Sequence, residues 1–265
     1  MRRIDRADQC RRNASWVGLP LALLTLSPLM LAAVLSARAE DGPATGPAAA
    51  KEADRVLFDG KSLDGWKIAD QFDFADHGAV EVKDGLLVLT KGDPATGIVR
   101  TDELPKIDYE LQLEARRTDG RDFFCGLTFP IRDSFATLIV GGWGGGVIGV
   151  SNIDGASAAE NSTSTFREFE ANRWYKIRLR VTTAELSMWL DDKRVIQHPL
   201  GEHKFNVWWE MEPMRPLGIA TWHTSAELRN VRLIHPLPVE TNTPAATRSE
   251  PTGGTPAAGG NAKTE

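Results

Sequence analysis

Cysteine is nearly missing from this 265-residue chain, which has only Cys10 and Cys125. No disulfide framework can hold the fold, so a hydrophobic core must do so alone. The short motifs of phosphate, zinc-protease and serine-nucleophile chemistry are absent too: there is no GxGxxG, P-loop, HExxH or GxSxG. Gly141-Gly142-Trp143-Gly144-Gly145-Gly146 lacks the lysine and the helix that a phosphate loop requires. The five histidines (77, 198, 203, 223 and 235) form no close pair with zinc-ligand spacing, and no metal ligands are assigned. His198, His203 and His235 read as surface residues beside prolines, loops or a strand end.

Arg2, Arg3, Arg6, Arg11 and Arg12 precede an apolar run from Trp16 to Leu35, followed by Ala37-Arg38-Ala39. A basic region, an apolar region and a small-residue site are the three parts of a secretory signal peptide, so residues 1–39 are expected to be removed. The apolar run approaches the length of a membrane span. Pro20 and Pro28 interrupt it, however, and the cleavage site follows at the right distance. The mature protein is therefore expected in the periplasm or outside the cell, without stable membrane insertion. Cleavage takes away six basic and two acidic side chains, leaving 25 basic and 34 acidic, a net charge near −9. A chain of that sign has no general attraction to phosphate backbones, which argues against nucleic acid as a partner.

Residues 40–54 are rich in Ala, Gly and Pro and read as a linker. Residues 237–265 contain almost no large apolar side chain and read as a disordered tail, because nothing there offsets the entropy of ordering. Residues 55–236 form one domain by size. Within it, Ile107, Tyr109, Leu111, Leu113 and Ala115 alternate with polar residues, as do Tyr175, Ile177, Leu179 and Val181, and then Leu186, Met188 and Leu190. A period of two with one apolar face is a half-buried antiparallel strand. Asp84-Gly85 and Asp191-Asp192 supply turn chemistry. Many short strands with no sustained helical period predict an all-β sandwich or jelly roll.

On such a sheet, outward positions can carry a site. Glu114 lies on the polar face of its strand. Glu210 and Glu212 flank Met211 and share one face if that segment is extended. Paired carboxylates of this kind suit acid and base roles. His223 follows Trp222 at a strand end. Seven tryptophans remain in the mature chain (66, 143, 174, 189, 208, 209 and 222), and indole faces are platforms for pyranose rings. Trp143 on its glycine bed, Trp189 on the polar face of its strand, and Trp222 are the stacking candidates, with Glu212 beside them. The loop 70–78 holds Asp70, Asp73 and Asp76, an oxygen-rich run that could hold calcium but does not match an EF-hand.

Leu57-Phe58-Asp59-Gly60-Lys61-Ser62-Leu63-Asp64-Gly65-Trp66 resembles the opening motif of the 3-keto-disaccharide hydrolase family. Val82–Leu87, Asn172–Leu179, Pro216–Ile219 and Leu228–Val231 agree with it in order, so the resemblance spans Val56 to Ile234. Asp122–Phe129 with the glycine run after it is similar to a planctomycete-type subgroup. The resemblance implies a concanavalin A-like jelly-roll β-sandwich and carbohydrate chemistry on a 3-keto sugar. In that chemistry a base removes the C2 proton, the C1 substituent leaves and water adds. It also implies an enolate stabiliser, for which a divalent metal, a histidine or an arginine would serve, and an acid for the leaving oxygen. His223 matches the family's late histidine, and Glu210 and Glu114 are the candidate carboxylates. Where members carry an arginine, a glutamate and a glutamine, this chain has Pro130, Thr137 and Thr221. The alternatives are a lectin-like carbohydrate-binding module without catalysis, or a structural protein of the cell envelope.

Overall fold

A computed structural model describes residues 53–237. The signal peptide expected over residues 1–39, nearly all of the linker and the C-terminal tail lie outside the described residues. Fifteen strands follow in order: β1 (Ala53–Val56), β2 (Lys67–Ile68), β3 (Val80–Lys83), β4 (Leu86–Leu89), β5 (Ala95–Arg100), β6 (Tyr109–Gly120), β7 (Cys125–Ile131), β8 (Ser134–Gly142), β9 (Val147–Ser151), β10 (Thr165–Phe166), β11 (Tyr175–Val181), β12 (Glu185–Leu190), β13 (Lys193–Pro199), β14 (Leu217–Trp222) and β15 (Thr224–His235). Two 3-10 turns, Phe72–Phe74 and Trp209–Met214, are the only helical pieces among the described residues. The protein is a concanavalin A-like jelly-roll β-sandwich.

One sheet runs β13-β12-β11-β6-β15-β4-β3, with β1 also on β15. The other runs β10-β9-β8-β7-β14-β5-β2. All pairings are antiparallel, and the hairpins carry the expected turns. Asp84 (φ 53°) and Gly85 (φ 79°) join β3 to β4, and Asp191 (φ 50°) and Asp192 (φ 64°) join β12 to β13. Two successive positive φ values twist the chain the way a right-handed hairpin needs.

The alternating residues read from the sequence meet between the sheets. Leu111 and Leu113 of β6, Ile177 and Leu179 of β11, and Leu186 and Met188 of β12 are buried against Leu127, Phe129, Leu138, Ile148 and Ile219 of the facing sheet. Cys125 lies in this core, where burial pushes its thiol up to about 12.

The strands β5, β7, β8, β9 and β14 are buried on both faces, and that decides where a site can form. Their outward face carries a second apolar cluster, built from Phe74, Ala95, Phe123, Ile139, Val207, Met211, Met214 and Ala220. A side chain at Gly97 would collide with Met214 and Phe74, and one at Gly218 with Met214. These two glycines let the 3-10 turns settle onto the sheet. The β7, β8 and β9 part of that face is left with space above it.

Candidate active-site cleft

The space over β8 and β9 is a cleft of about 350 Å³. Its floor is Thr137 and Ile139 of β8 and Ser151 of β9, with Phe123 and Trp222 at one side. Trp143 overhangs from the β8–β9 hairpin, and Trp208, Trp209, Glu210 and Met211 close the opposite wall. Asp122 also contributes to the lining. Most of this surface is aromatic or apolar, with a few hydroxyls and two carboxylates set into it.

The local sequence explains each wall. Trp143 sits at φ 48° between Gly141, Gly144 and Gly145, all at positive φ, a backbone that glycine adopts without strain. The amides of Gly145 and Gly146 both donate to the Gly142 carbonyl (3.2 and 3.1 Å). A side chain on Gly146 would meet the Phe166 ring, and one on Gly145 the Arg117 guanidinium. The glycine run is thus a packed turn that lifts the half-exposed Trp143 indole over the cleft, not a loose bed.

On the facing wall, Trp209–Met214 does not extend as a strand, so Glu210 and Glu212 do not share a face. In a 3-10 turn residues three apart align, and here Met211 and Met214 both point into the sheet. Glu212 turns away and pairs with Arg215. Glu210 lines the cleft, and its Oε2 is buried with no hydrogen-bond partner among the described residues.

The floor is a row of hydroxyls. Ser151 is paired in register with Thr137, and Thr137 with Thr128. The Thr128 and Thr137 hydroxyls share a hydrogen bond of 2.9 Å. Ser151 Oγ accepts the Ala158 amide at 3.1 Å, which leaves its own hydrogen free to donate. Asp122 Oδ1 accepts the Phe123 amide at 2.7 Å, and the Asp122 amide donates to Thr224 Oγ1 at 2.9 Å, fixing that corner.

Glu210, Trp143 and Trp222 are therefore brought together, and the other residues singled out from the sequence lie elsewhere. His223 is exposed at the end of β14, its ring 5.9 Å from that of Trp222 and its amide donating to the Pro94 carbonyl. Glu114 projects from the outer face of the other sheet. Burial pushes its carboxyl up, but hydrogen bonds from Arg229 and Asn230 outweigh this and hold it below the usual range. Trp189 is on that same sheet, half-buried under the Arg178 guanidinium at 3.9 Å, so it is not a bare platform. His198, expected at the surface, is buried against His203, with ring centroids 4.6 Å apart.

Trp208, Trp209, Asp122, Phe123, Thr137 and Ser151 were not among the site residues read from the sequence. The adjacency of Trp208 and Trp209 was the available signal, since a half-buried strand would leave one indole of such a pair in solvent; in the structure both are exposed.

The sequence model described as the 3-keto-alpha-glucoside-1,2-lyase-like domain matches residues 53–234. The chain belongs to this family. No curated protein matches it. Among solved structures, a candidate glycosyl hydrolase of Parabacteroides distasonis is 14% identical, with 68% of this chain and 92% of that one covered at a TM-score of 0.42. The carbohydrate-binding module CBM66 of Bacillus subtilis is 14% identical over 63% of this chain and 93% of its own, at 0.40. Domain 4 of the GH43 arabinanase AbnA of Geobacillus stearothermophilus, in complex with arabinotriose, is 12% identical over 69% and 90%, at 0.45. Within the 3-keto-glucoside lyase-like family, this member carries Pro130, Thr137 and Thr221 where the resemblance implied arginine, glutamate and glutamine. Thr137 is in the cleft floor, and Pro130 and Thr221 are not among the lining residues.

Proposed function

We propose that this protein is an exported enzyme that cleaves 3-keto-glycosides, with the cleft as its sugar site and Glu210 as its base. The observation that carries the proposal is the Glu210 carboxylate oxygen, shielded from solvent and without a partner among the described residues, amid four indoles. An unpaired buried acceptor is unfavourable unless a ligand group meets it. Indole faces suit the apolar face of a pyranose.

In this mechanism Glu210 takes the C2 proton, and the electron pair left behind becomes the enolate at the C3 oxygen. The enolate re-forms the ketone as the C1 substituent leaves with its bonding pair, and a proton from the cleft completes the departing alcohol. Water adding across the resulting C1–C2 double bond gives the hydrolysed sugar. Ser151 and Thr137 are placed to donate hydrogen bonds to the developing oxyanion. A divalent metal is the other stabiliser that the family resemblance implies. Among the described residues no group of three or more His, Cys, Asp or Glu side chains could hold one, so no step is routed through a metal. His223, the acid candidate read from the sequence, is exposed and outside the cleft lining, so the proton that Glu210 takes from C2 is the one returned to the leaving oxygen. Export rests on the signal peptide read over residues 1–39.

A second reading, a lectin-like module without catalysis, draws on the hydroxyl floor, which has Thr137 where the resemblance implies a glutamate. Incubation with a 3-keto-glucoside of a chromogenic aglycone separates the two. Release by the wild-type protein but not by Glu210→Gln is expected. Binding without release from any 3-keto-glucoside tried would overturn the enzyme reading.

A further inference from the structure

The cleft has a one-sided charge. Five aromatic side chains, four of them indoles, and the carboxylates of Asp122 and Glu210 line it; among the described residues no lysine, arginine or histidine does. Of the arginines on the neighbouring segments, the exposed Arg121 stays outside the lining and two others are engaged elsewhere. Arg117 donates to the carbonyls of Gly145 and Phe169, and Arg215 pairs with Glu212 and lies 5.1 Å from the Phe135 ring.

Aromatic faces attract cations through their quadrupole, and carboxylates do so through full charge. The two together, with no opposing base, form a cage for an ammonium group. An anionic sugar entering the same space would meet two like charges and no cation to receive it. Glu210 Oε2, without a partner among the described residues, fits the same pattern, since a charged donor is the strongest partner for a shielded carboxylate oxygen. Asp122 and Glu210 together offer more acceptor oxygens than one base requires.

We infer that the cleft selects glycosides carrying an ammonium group, on the sugar or on its aglycone, and rejects anionic ones. This rests on the proposed sugar site and names its substrate class.

The test is titration calorimetry of the purified protein with methyl glucoside, glucosamine, 2-aminoethyl glucoside and glucuronate. One of the two ammonium sugars is expected to bind at least about tenfold tighter than methyl glucoside, and glucuronate weakest of all. Tighter binding of glucosamine would place the ammonium on the sugar; tighter binding of the aminoethyl glucoside would place it in the aglycone. Asp122→Asn, with its fold checked by circular dichroism, is expected to reduce the preference. If that variant does not fold, the wild-type ranking carries the test. Equal affinity for the neutral and ammonium sugars, glucuronate binding as tightly as either, or no binding to any of the four would overturn the inference. Equal affinity with 3-keto-glucoside turnover intact removes the charge selection and keeps the proposed function. Ammonium preference without turnover keeps the selection and removes the lyase chemistry.

Discussion

Met214 lies directly on Gly218: a Cβ added to that glycine would stand 2.6 Å from both the Cβ and the carbonyl oxygen of Met214. The contact seats the turn that carries Trp209 and Glu210 on β14. Because the carbonyl belongs to the backbone, the turn cannot yield by a rotamer change alone. Gly218→Val is expected to destabilise the protein by about 1–3 kcal/mol through overpacking, and to weaken sugar binding by displacing the wall. Thermal melting and titration of the same variant check this. An unchanged melting temperature would mean that the turn is not held there.

Glu210→Gln keeps the shape of the wall and removes the base. Turnover of a 3-keto-glucoside is expected to fall by about 10²–10⁴-fold, with KM little changed. A fall in affinity with kcat retained would make Glu210 a binding residue instead. Glu114→Gln, on the opposite sheet and paired with Arg229, is expected to leave turnover as it was.

Trp143 and Trp209 are 50% and 60% exposed, so truncating either removes little of the fold. Trp143→Ala and Trp209→Ala are each expected to weaken sugar binding by about tenfold, with the melting temperature held. Trp189→Ala, beneath Arg178, is expected not to change binding. Reversal of that order would place the site on the other sheet.

Burial lowers the His198 imidazole below its ordinary 6.5, and the neighbouring His203 adds to this, while Asp154 opposes it. Ser162 Oγ lies 3.2 Å from its Nδ1, and Asp154 holds His203 at 2.6 Å. With the folded value depressed, the unfolded chain binds the proton more readily. Stability from this residue is therefore complete above the unfolded value and is lost as the pH falls toward the folded one. The wild-type protein is expected to lose melting temperature between about pH 7 and pH 5 more steeply than His198→Gln. Equal slopes would show that burial does not depress the folded value of His198.

Cys125, with its thiol pushed up to about 12, holds almost no thiolate near neutral pH. In Cys10→Ser protein it is expected to resist a disulfide reagent while folded and to react at once in denaturant. Prompt reaction in the native state would contradict the burial of β7.

The sandwich was legible because half-buried strands write a period of two, and Leu111, Leu113, Ile177 and Leu179 all kept to it. The cleft was harder to read. Residues 207–214 cover the second face of a sheet, and their buried side chains Val207, Met211 and Met214 do not keep a strand's period of two. Glu210 stood out as a carboxylate among tryptophans, but its turning away from Glu212 depends on a 3-10 turn seated on Gly218. Glu114 was as good a candidate by pattern, and only the strand order puts it on the far sheet. Thr137 and Ser151 carried no pattern at all, since a hydroxyl on a buried strand looks the same whether it faces a cleft or a core.

The central claim is that Glu210 abstracts a proton from a sugar held in the aromatic cleft. The most direct test is to follow a 3-keto-glucoside by NMR in deuterated water with the wild-type and Glu210→Gln proteins. Deuterium at C2 with the wild-type protein and none with the variant is the predicted result. Equal exchange by both, or none by a wild-type sample that still binds the sugar, would contradict it.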